Sequence, residues 1–292
     1  MNPDRLTKRQ WEILEAHARY FYLTRRQLVR LGIGTWHSVY KPMRALLDPK
    51  RKNNLLGAIT FGPNPSGGDH ERMTYLTPHG VSALVENPHC NLTANEIRHP
   101  RGNSPQLKDD RYRNHRESMV DFHMGFDQYA KEADLSFYVL TDFQFKGDNA
   151  HGGNQPLKQL TRVEIPDQPP LIPDLVLLTQ SSAGEQFLYF VEVSQQSSDT
   201  KYILKQISTH RSAIRHFDDS LSNSDQFHLF GIRKLPRVLY AFAEAESLER
   251  VLNALGGSND PFFAFALLSD LSTGEFSFLR SNRVPYDNLF PT

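Results

Sequence analysis

Residues 171–205 read LIPDLVLLTQSSAGEQFLYFVEVSQQSSDTKYILK, and this stretch contains the two strand patterns that decide the fold of the second half of the chain. The first apolar run follows Asp174, and the second contains Glu192 near its end. Residues 180–185 between them are Gln, Ser, Ser, Ala, Gly and Glu, a composition that favours a turn. The sequence therefore predicts a β-hairpin, in which antiparallel pairing brings the two carboxylates close together.

A pair of carboxylates on adjacent strands is suited to binding Mg²⁺ or Mn²⁺, which prefer hard oxygen ligands. An ion held there polarises a phosphate and lowers the pKa of bound water, as metal-assisted phosphodiester cleavage requires. Lys201 and Lys205 follow on a predicted helix and supply positive charge nearby. The competing interpretation is structural, with Glu192 at a strand edge and Asp174 at the start of a turn.

The composition is that of a folded globular chain. Its 292 residues are enough for one large domain or for two of unequal size, and we expect two. Cys90 is the single cysteine, which excludes an internal disulfide framework and a cysteine-based zinc site. No apolar run reaches the length of a membrane span, and residues 1–9 are too polar for a signal peptide. We therefore expect a cytoplasmic protein without a membrane partner.

Charge is distributed unevenly along a chain whose formal net charge is zero. Residues 1–52 contain twelve Lys and Arg against four Asp and Glu, a surplus of +8, so residues 53–292 carry −8. A basic surplus confined to one end indicates a module that faces nucleic acid. A solvated basic helix surface is the alternative.

Three helix starts are marked near the N-terminus. Thr7 and Thr24 are each followed three positions later by Gln, in the form of a capping box, and Thr35 precedes a third helical pattern. In that third pattern the apolar positions repeat at helical spacing, while basic residues occupy the opposite face. The sequence predicts three short helices within residues 7–47.

Two short strand patterns follow at 55–61 and 72–76, joined by the turn-rich segment 62–69. Three helices and a hairpin in this order predict a winged helix-turn-helix, with the third helix in the major groove and the wing on the backbone. Docking to a protein is the alternative use of such a module. The predicted DNA contacts are Arg25, Arg26, Arg30, His37, Lys41, Arg44, Arg51 and Lys52.

Residues 87–108 are rich in proline and lack apolar periodicity, which predicts a linker. We place a winged domain at 1–100 and a second domain at 108–292. The second domain has helical patterns from Arg111, at 200–217 and at 247–255, and strand patterns at 135–141, 237–242 and 262–268 besides the hairpin. This order predicts an α/β fold with a mixed sheet flanked by helices.

With Pro173-Asp174 at one strand and Glu192 on the next, the second domain resembles the PD-(D/E)xK nuclease core, which has the restriction-endonuclease-like fold. The resemblance implies that Asp174 and Glu192 bind metal and that Glu117, on the preceding helix, adds a third acid. The lysine expected two residues after the glutamate is replaced by Ser194. By this resemblance Lys205, or Lys201, supplies the missing charge.

A narrower resemblance covers nearly the whole chain. The motifs at 75–80, His115, 172–174, 190–193 and Lys205 are similar to those of the replication-relaxation protein family. That family includes plasmid mobilisation relaxases, which nick DNA at a transfer origin without a tyrosine nucleophile. The resemblance implies a role for His115 as a general base or phosphate contact, although a packing or capping histidine is its structural alternative.

The sequence thus predicts a DNA-binding protein with a magnesium-dependent endonuclease or nickase domain, of the kind used in plasmid mobilisation and conjugation. The expected partners are duplex DNA at a plasmid transfer or replication origin, accessory mobilisation proteins and a second copy of the chain. The alternative is a non-catalytic DNA-binding factor with a degenerate nuclease-like domain. Tyr189 and Tyr202, which lie near the carboxylates in sequence, are interpreted as core residues.

Overall fold

The computed structural model describes residues 6–48, 54–59, 72–90, 92, 97, 110–142, 145–146, 158–165, 169–195, 199–220, 234–287 and 289–291. The chain divides into two compact units, Met1–Val120 and Asp121–Thr292. The division falls within a long helix, whereas most of the linker expected at 87–108 lies outside the described residues. None of the helices in the described part of the chain has the length and apolar character of a membrane span.

In its described residues the first unit contains four complete helices, the start of the long helix that crosses the division and an antiparallel sheet of order β1-β3-β2. Its elements are α1 Lys8–Tyr20, β1 Tyr22–Leu23, α2 Arg25–Arg30, α3 Trp36–Leu47, β2 Leu56–Ile59, β3 Met73–Leu76 and α4 Pro78–Val85. The three predicted helices and two predicted strands are confirmed, and the two-residue β1 is an addition. The segment between β2 and β3 lies outside the described residues.

Capping boxes start the first three helices. The hydroxyls of Thr7, Thr24 and Thr35 each accept a hydrogen bond from the backbone N–H three residues later. The side chains of Gln10, Gln27 and Ser38 accept from the backbone of the respective cap. Such a cap typically stabilises a helix by about 1 kcal/mol, so the start signals expected from the sequence act as local constraints on the first unit.

The exposed and buried faces of α3 are separated as the sequence predicts. Val39, Met43 and Leu46 are buried, whereas the basic side chains on the opposite side of the helix are exposed. Because the apolar face is held in the core, the charged face is presented to solvent.

His17 ties α1 to the sheet of the first unit. Its Nδ1 lies 2.7 Å from the carbonyl oxygen of Ile13, and its Nε2 lies 2.7 Å from Thr74 Oγ1. A carbonyl oxygen only accepts, so the proton of the neutral ring is on Nδ1. The Thr74 hydroxyl has one proton and lies between two acceptors, His17 Nε2 and the carbonyl oxygen of Leu23 at 2.9 Å. Burial lowers the pKa of His17 from 6.5 to about 4, because the fully enclosed ring cannot solvate a charge.

The second unit is built around a five-stranded mixed sheet of order β10-β9-β8-β7-β4. Strands β8, β9 and β10 are parallel, and β7 is antiparallel to both β4 and β8, so the predicted mixed sheet and its hairpin are confirmed. The elements are α5 Asp110–Glu132, β4 Ser136–Thr141, β5 Phe145–Lys146, β6 Lys158–Gln159, β7 Leu175–Gln180, β8 Gln186–Ser194, α6 Thr200–Ser220, β9 Arg237–Phe242, α7 Ala245–Ala254, β10 Phe263–Leu267 and α8 Leu268–Ser272. The β5/β6 pair and α8 are additions to the predicted elements.

Strands β7 to β10 are buried on both faces, as their continuous apolar runs require. On one face Phe190 and Tyr240 pack in a cluster with residues of α6 and α7. On the other face Tyr189 contacts Phe290, which also contacts Phe126 of α5. A helix thus lies against each face of the strand that contains Glu192.

Gly125 allows α5 to approach α8 closely. A Cβ atom at this position would clash with the backbone carbonyl oxygen of Leu271. Any side chain there must displace backbone rather than a flexible side chain, so the contact between the two helices depends on glycine.

Low pH should destabilise the first unit, because His17 is buried in its neutral form. The unfolded chain binds a proton at this residue below pH 6.5 and the folded chain only below about pH 4. Stability is therefore lost as the pH falls between these values, by about 3 kcal/mol in total from this residue.

We expect His17→Gln to lack this part of the acid dependence in urea unfolding of the full chain at pH 7.0, 5.5 and 4.2. His37→Gln, at an exposed histidine of α3, is the matched control and should retain the dependence of the unmodified chain. Equal acid dependence in the His17 variant and the unmodified chain would contradict the assignment.

Candidate functional site

Three acids occupy neighbouring positions across the sheet. Thr141 pairs with Leu175, and Leu175 pairs with Val191, so the next positions place Asp142 opposite Asp174 and Asp174 opposite Glu192. The backbone N–H of Asp142 donates to the carbonyl oxygen of Asp174 at 3.0 Å. We call Asp142, Asp174 and Glu192 the acid row.

The row continues onto β9, where Tyr240 is paired with Glu192. Alternate residues of a strand share a face, so Glu192 lies on the same face of the sheet as Phe190, which packs with residues of α6. Glu192 is therefore covered by α6. The acid row lies at the end of β4, near the end of β8 and just before the start of β7.

Asp174 is held by the strand beside it. Its Oδ2 accepts a hydrogen bond of 2.7 Å from the backbone N–H of Val193, where β8 continues beyond the first residue of β7. This contact fixes the orientation of the carboxylate, which is partly exposed. A backbone N–H donating to an ionised carboxylate is a charge-assisted hydrogen bond.

Glu192 is buried, with 5% of its surface exposed. Its Oε1 lies 2.7 Å from His210 Nε2, and its Oε2 accepts from Gln206 Nε2 at 3.5 Å. Burial raises the pKa of Glu192 well above its ordinary value, and the charges of Asp174 and Asp142 raise it further. Two like charges beside a buried acid make its ionisation costly in the absence of a cation.

His210 is the buried partner of this acid. Burial lowers the pKa of His210 to about 3, although the charge of Asp174 acts in the opposite direction. The ring is neutral near pH 7, so its contact with Glu192 is a hydrogen bond rather than an ion pair. Its Nδ1 has no hydrogen-bond partner among the described residues.

Two tyrosines lie near the acid row. Burial, followed by the charges of Glu192 and Asp174, raises the pKa of both Tyr240 and Tyr202. The hydroxyl of Tyr240 is buried and has no hydrogen-bond partner in the described part of the chain. Tyr202 is 59% exposed, so its interpretation as a core residue is wrong. Tyr189, by contrast, is buried and donates its hydroxyl proton to the carbonyl oxygen of Leu289 at 2.6 Å.

The exposure of Tyr202 follows from its place on α6. Tyr202, Gln206 and His210 are spaced by four residues and form one stripe of the helix. The two inner members of the stripe contact Glu192, and the outer member lies in solvent.

The lysine of the resembled nuclease core has no direct equivalent beside the acids. Ser194 is buried, and its hydroxyl has no hydrogen-bond partner among the described residues. Lys201 and Lys205 are exposed on α6, and their side chains form no ion pair with another described residue. A catalytic role for Lys205 stays a prediction.

His115 and Glu117 lie on the part of α5 that belongs to the first unit. The carboxylate of Glu117 is 3.9 Å from the guanidinium of Arg113. The backbone carbonyl oxygen of Glu117 accepts a hydrogen bond from Gln27 Nε2 at 3.1 Å. The contact with Gln27 joins α5 to α2, whereas the Arg113–Glu117 pair lies within α5. The catalytic roles of His115 and Glu117 stay predictions.

The residues fit a divalent cation as a pair of ligands. Within the described residues, no three His, Cys, Asp or Glu side chains converge as ligands of one metal ion. Mg²⁺ is commonly bound by one or two carboxylates, with water and substrate phosphate completing its coordination. Asp174 and Glu192, adjacent and mutually repelling, could supply these two carboxylates, and a bound ion would relieve the repulsion.

Sequence reasoning missed Asp142, Gln206, His210 and Tyr240 as components of the site. Asp142 directly follows the first strand of the unit, and it joins the acids only through the register of β4 against β7. The spacing of four between Gln206 and His210 was visible, but nothing in the sequence indicated that this face of α6 covers Glu192.

The candidate nucleic-acid surface lies in the first unit. Of its predicted contacts, Arg26, Arg30, His37, Lys41 and Arg44 are exposed. Arg25 is half-buried against an aromatic ring of α3. The remaining two, at positions 51 and 52, lie outside the described residues. The exposed basic side chains occupy α2 and the outer face of α3.

Comparisons with known proteins add one distant likeness. No protein-family model and no curated protein matches the sequence. A solved structure of restriction endonuclease FokI bound to DNA is similar with a TM-score of 0.22 and 10% sequence identity. The match covers 91% of this chain and 44% of the FokI chain. A likeness this low carries no conclusion about activity.

The Glu192–His210 contact should be measurable as a coupling energy. His210→Phe keeps an aromatic ring between Phe190 and Tyr240 but removes the hydrogen bond to Glu192. We expect it to lower the free energy of unfolding by about 1–3 kcal/mol, since a buried carboxylate loses its nearest partner.

In a Glu192→Leu background, His210→Phe should lower the free energy of unfolding by at least about 1 kcal/mol less than in the unmodified chain. No buried acid then remains that needs a hydrogen-bond partner. Chemical unfolding at pH 7 measures the cycle, and Ser208→Ala on the exposed side of α6 is the control. Equal costs of His210→Phe in the two backgrounds would show that the pair is not coupled.

Proposed function

We propose that this chain is a DNA-binding protein whose second unit cleaves phosphodiester bonds with the help of Mg²⁺ or Mn²⁺. The observation that supports the proposal is the acid row, in which Asp174 lies between Asp142 and Glu192 across the ends of three neighbouring strands. Three acids placed side by side and partly buried are costly to keep without a cation.

Asp174 and Glu192 would hold the ion. When bound, a divalent cation supplies Lewis-acid polarisation of the phosphate and lowers the pKa of a water molecule. Gln206 and His210 fix the orientation of the Glu192 carboxylate through its two oxygens, and Val193 does the same for Asp174. Held in this way, the ligands need little reorganisation on binding the ion.

Other side chains serve the substrate rather than the ion. The buried hydroxyl of Tyr240 can donate a hydrogen bond to a water molecule enclosed beside Glu192. Lys205, exposed on α6, supplies positive charge toward a phosphate backbone. His115 and Glu117 are proposed as further contributors, as the family resemblance implies.

The first unit is proposed to be a winged helix-turn-helix that brings duplex DNA to the protein. Its α3 carries the basic face expected of a helix that enters the major groove. Arg26, Arg30, Lys41 and Arg44 are placed to meet phosphates. Arg51 and Lys52 extend the same basic segment in sequence.

The more specific form of the proposal is a nickase that acts at a plasmid transfer or replication origin, as a mobilisation relaxase does. The motifs shared with the replication-relaxation family support it. A second copy of the chain and accessory mobilisation proteins are the proposed protein partners, and the cytoplasm is the proposed compartment.

A non-catalytic DNA-binding factor is the second candidate, and two observations favour it. Ser194 stands where the nuclease core has lysine, and both oxygens of Glu192 already have protein partners. In this version the acid row no longer binds a cation and the second unit serves as a docking domain.

Nicking of supercoiled plasmid in Mg²⁺ separates the two candidates, with DNA that contains transfer or replication origins as substrate. Asp174→Asn and Glu192→Gln should each reduce nicking by about 100-fold or more, because they remove charge that holds the ion. Both should also weaken Mn²⁺ binding measured by calorimetry.

Gln206→Ala should weaken Mn²⁺ binding by about 10- to 100-fold through loss of the contact with Glu192. Glu246→Gln, at an exposed acid of α7, is the matched control and should change neither measurement. No Mn²⁺ binding and no nicking on any origin DNA, with DNA affinity retained, would establish the non-catalytic candidate instead.

The salt dependence of DNA binding tests the first unit. If Lys41 and Arg44 each neutralise one phosphate, Lys41→Ala and Arg44→Ala should each reduce the slope of log affinity against log salt by about 0.9. Lys131→Ala, at an exposed position of α5 in the second unit, should leave the slope unchanged. A slope that neither α3 substitution alters would exclude this face from the DNA contact.

A further inference from the structure

Arg25 is held between two helices by aromatic stacking. Its guanidinium carbon lies 3.2 Å from the centroid of the Trp36 ring and 5.3 Å from the centroid of the Tyr40 ring. Arg25 is the first residue of α2, and both aromatic residues are on α3. Trp36 is 40% exposed and Tyr40 is 44% exposed, so the stack is at the surface.

The hydrogen-bonding capacity of this arginine is unused. The Arg25 side chain forms no hydrogen bond or ion pair with any other residue that the structure describes. A guanidinium has five N–H donors in one plane, and stacking covers the face of that plane but leaves its edge open. The aromatic contacts therefore restrain the guanidinium, while its N–H donors have no partner among the described residues.

The surroundings of the stack favour a polyanion. Residues 16–47 contain six Lys and Arg and no Asp or Glu. His37, Lys41 and Arg44 are exposed on the same helix as the two rings. An acidic peptide or a phosphate alone would require only charge, whereas a rigid planar fork is suited to a ligand with two coplanar acceptors.

We propose that Arg25 recognises guanine in the major groove of duplex DNA, an inference that rests on the proposed DNA-binding function. Guanine presents O6 and N7 as coplanar acceptors on its major-groove edge, and arginine is suited to contact both. Trp36 is the first residue of α3, the end from which a recognition helix contacts base edges. Stacking reduces the side-chain freedom that is lost on binding, so Trp36 acts as a positioning residue for Arg25.

Selection from a random duplex DNA library tests the proposal with the full-length chain. The unmodified protein should enrich a motif with an invariant guanine at one or more positions. Arg25→Lys keeps the charge but not the planar fork, so it should lose the preference at one of these guanines while the rest of the motif persists. Trp36→Ala, at an exposed site, should weaken the preference for the same guanine.

Replacement of that guanine by 7-deazaguanine removes N7 and should lower the affinity of the unmodified protein by about 5- to 150-fold. The Arg25→Lys protein should be almost insensitive to the replacement. Arg44→Ala is the matched control, because loss of a phosphate contact lowers affinity for all sequences alike and leaves the guanine preference intact.

Three outcomes overturn the proposal. If guanine preference persists in Arg25→Lys, or if duplex DNA is bound without any guanine preference, the assignment to Arg25 is wrong although the protein still binds DNA. If the unmodified protein binds no duplex DNA, or binds only RNA or single strands, the proposed function of the first unit fails together with it.

Discussion

The antiparallel register of β7 against both of its neighbours is the constraint on which the rest of the second unit depends. It places Asp142, Asp174 and Glu192 side by side, and a shift of one residue in β7 would turn Asp174 to the other face. Turn chemistry at residues 181–185 and the apolar runs of β4, β7 and β8 hold the register. Packing elsewhere in the sheet thus forces the three acids together despite their electrostatic repulsion. The repulsion is offset in part by hydrogen bonds, from His210 and Gln206 to Glu192 and from the Val193 N–H to Asp174.

The two units have opposite electrostatic requirements that a nucleic acid and a cation would satisfy together. The basic helices of the first unit attract a phosphate backbone, whereas the acid row repels one. A divalent cation bound at the row would reverse the local sign there and would attract a phosphate. The non-catalytic alternative removes the need for a cation but leaves the cost of the buried acid unexplained.

Much of the fold could be predicted from the sequence because its signals are local. Thr7, Thr24 and Thr35 mark the helix starts within four residues each, and the hairpin is marked by its turn. The two-residue strands and α8 were missed because so short a segment has no periodicity to detect. Half of the site was also out of reach. Asp142 and His210 join Glu192 through strand register and helix packing, which no short motif encodes. Tyr202 shares a stripe of α6 with Gln206 and His210, and helix periodicity does not reveal where along that stripe the covered part ends.

Gly125 is required by the packing of α5 in this fold, whether or not the acid row is active. The acids can be exchanged when an activity changes or disappears, and Ser194 already departs from the pattern of the nuclease core. The approach of α5 to the backbone at Leu271, by contrast, is purely steric and does not depend on whether the site is active. Distant relatives that have lost the carboxylates should therefore still keep glycine in the middle of this helix, and that residue offers a way to align sequences whose catalytic positions have diverged beyond recognition.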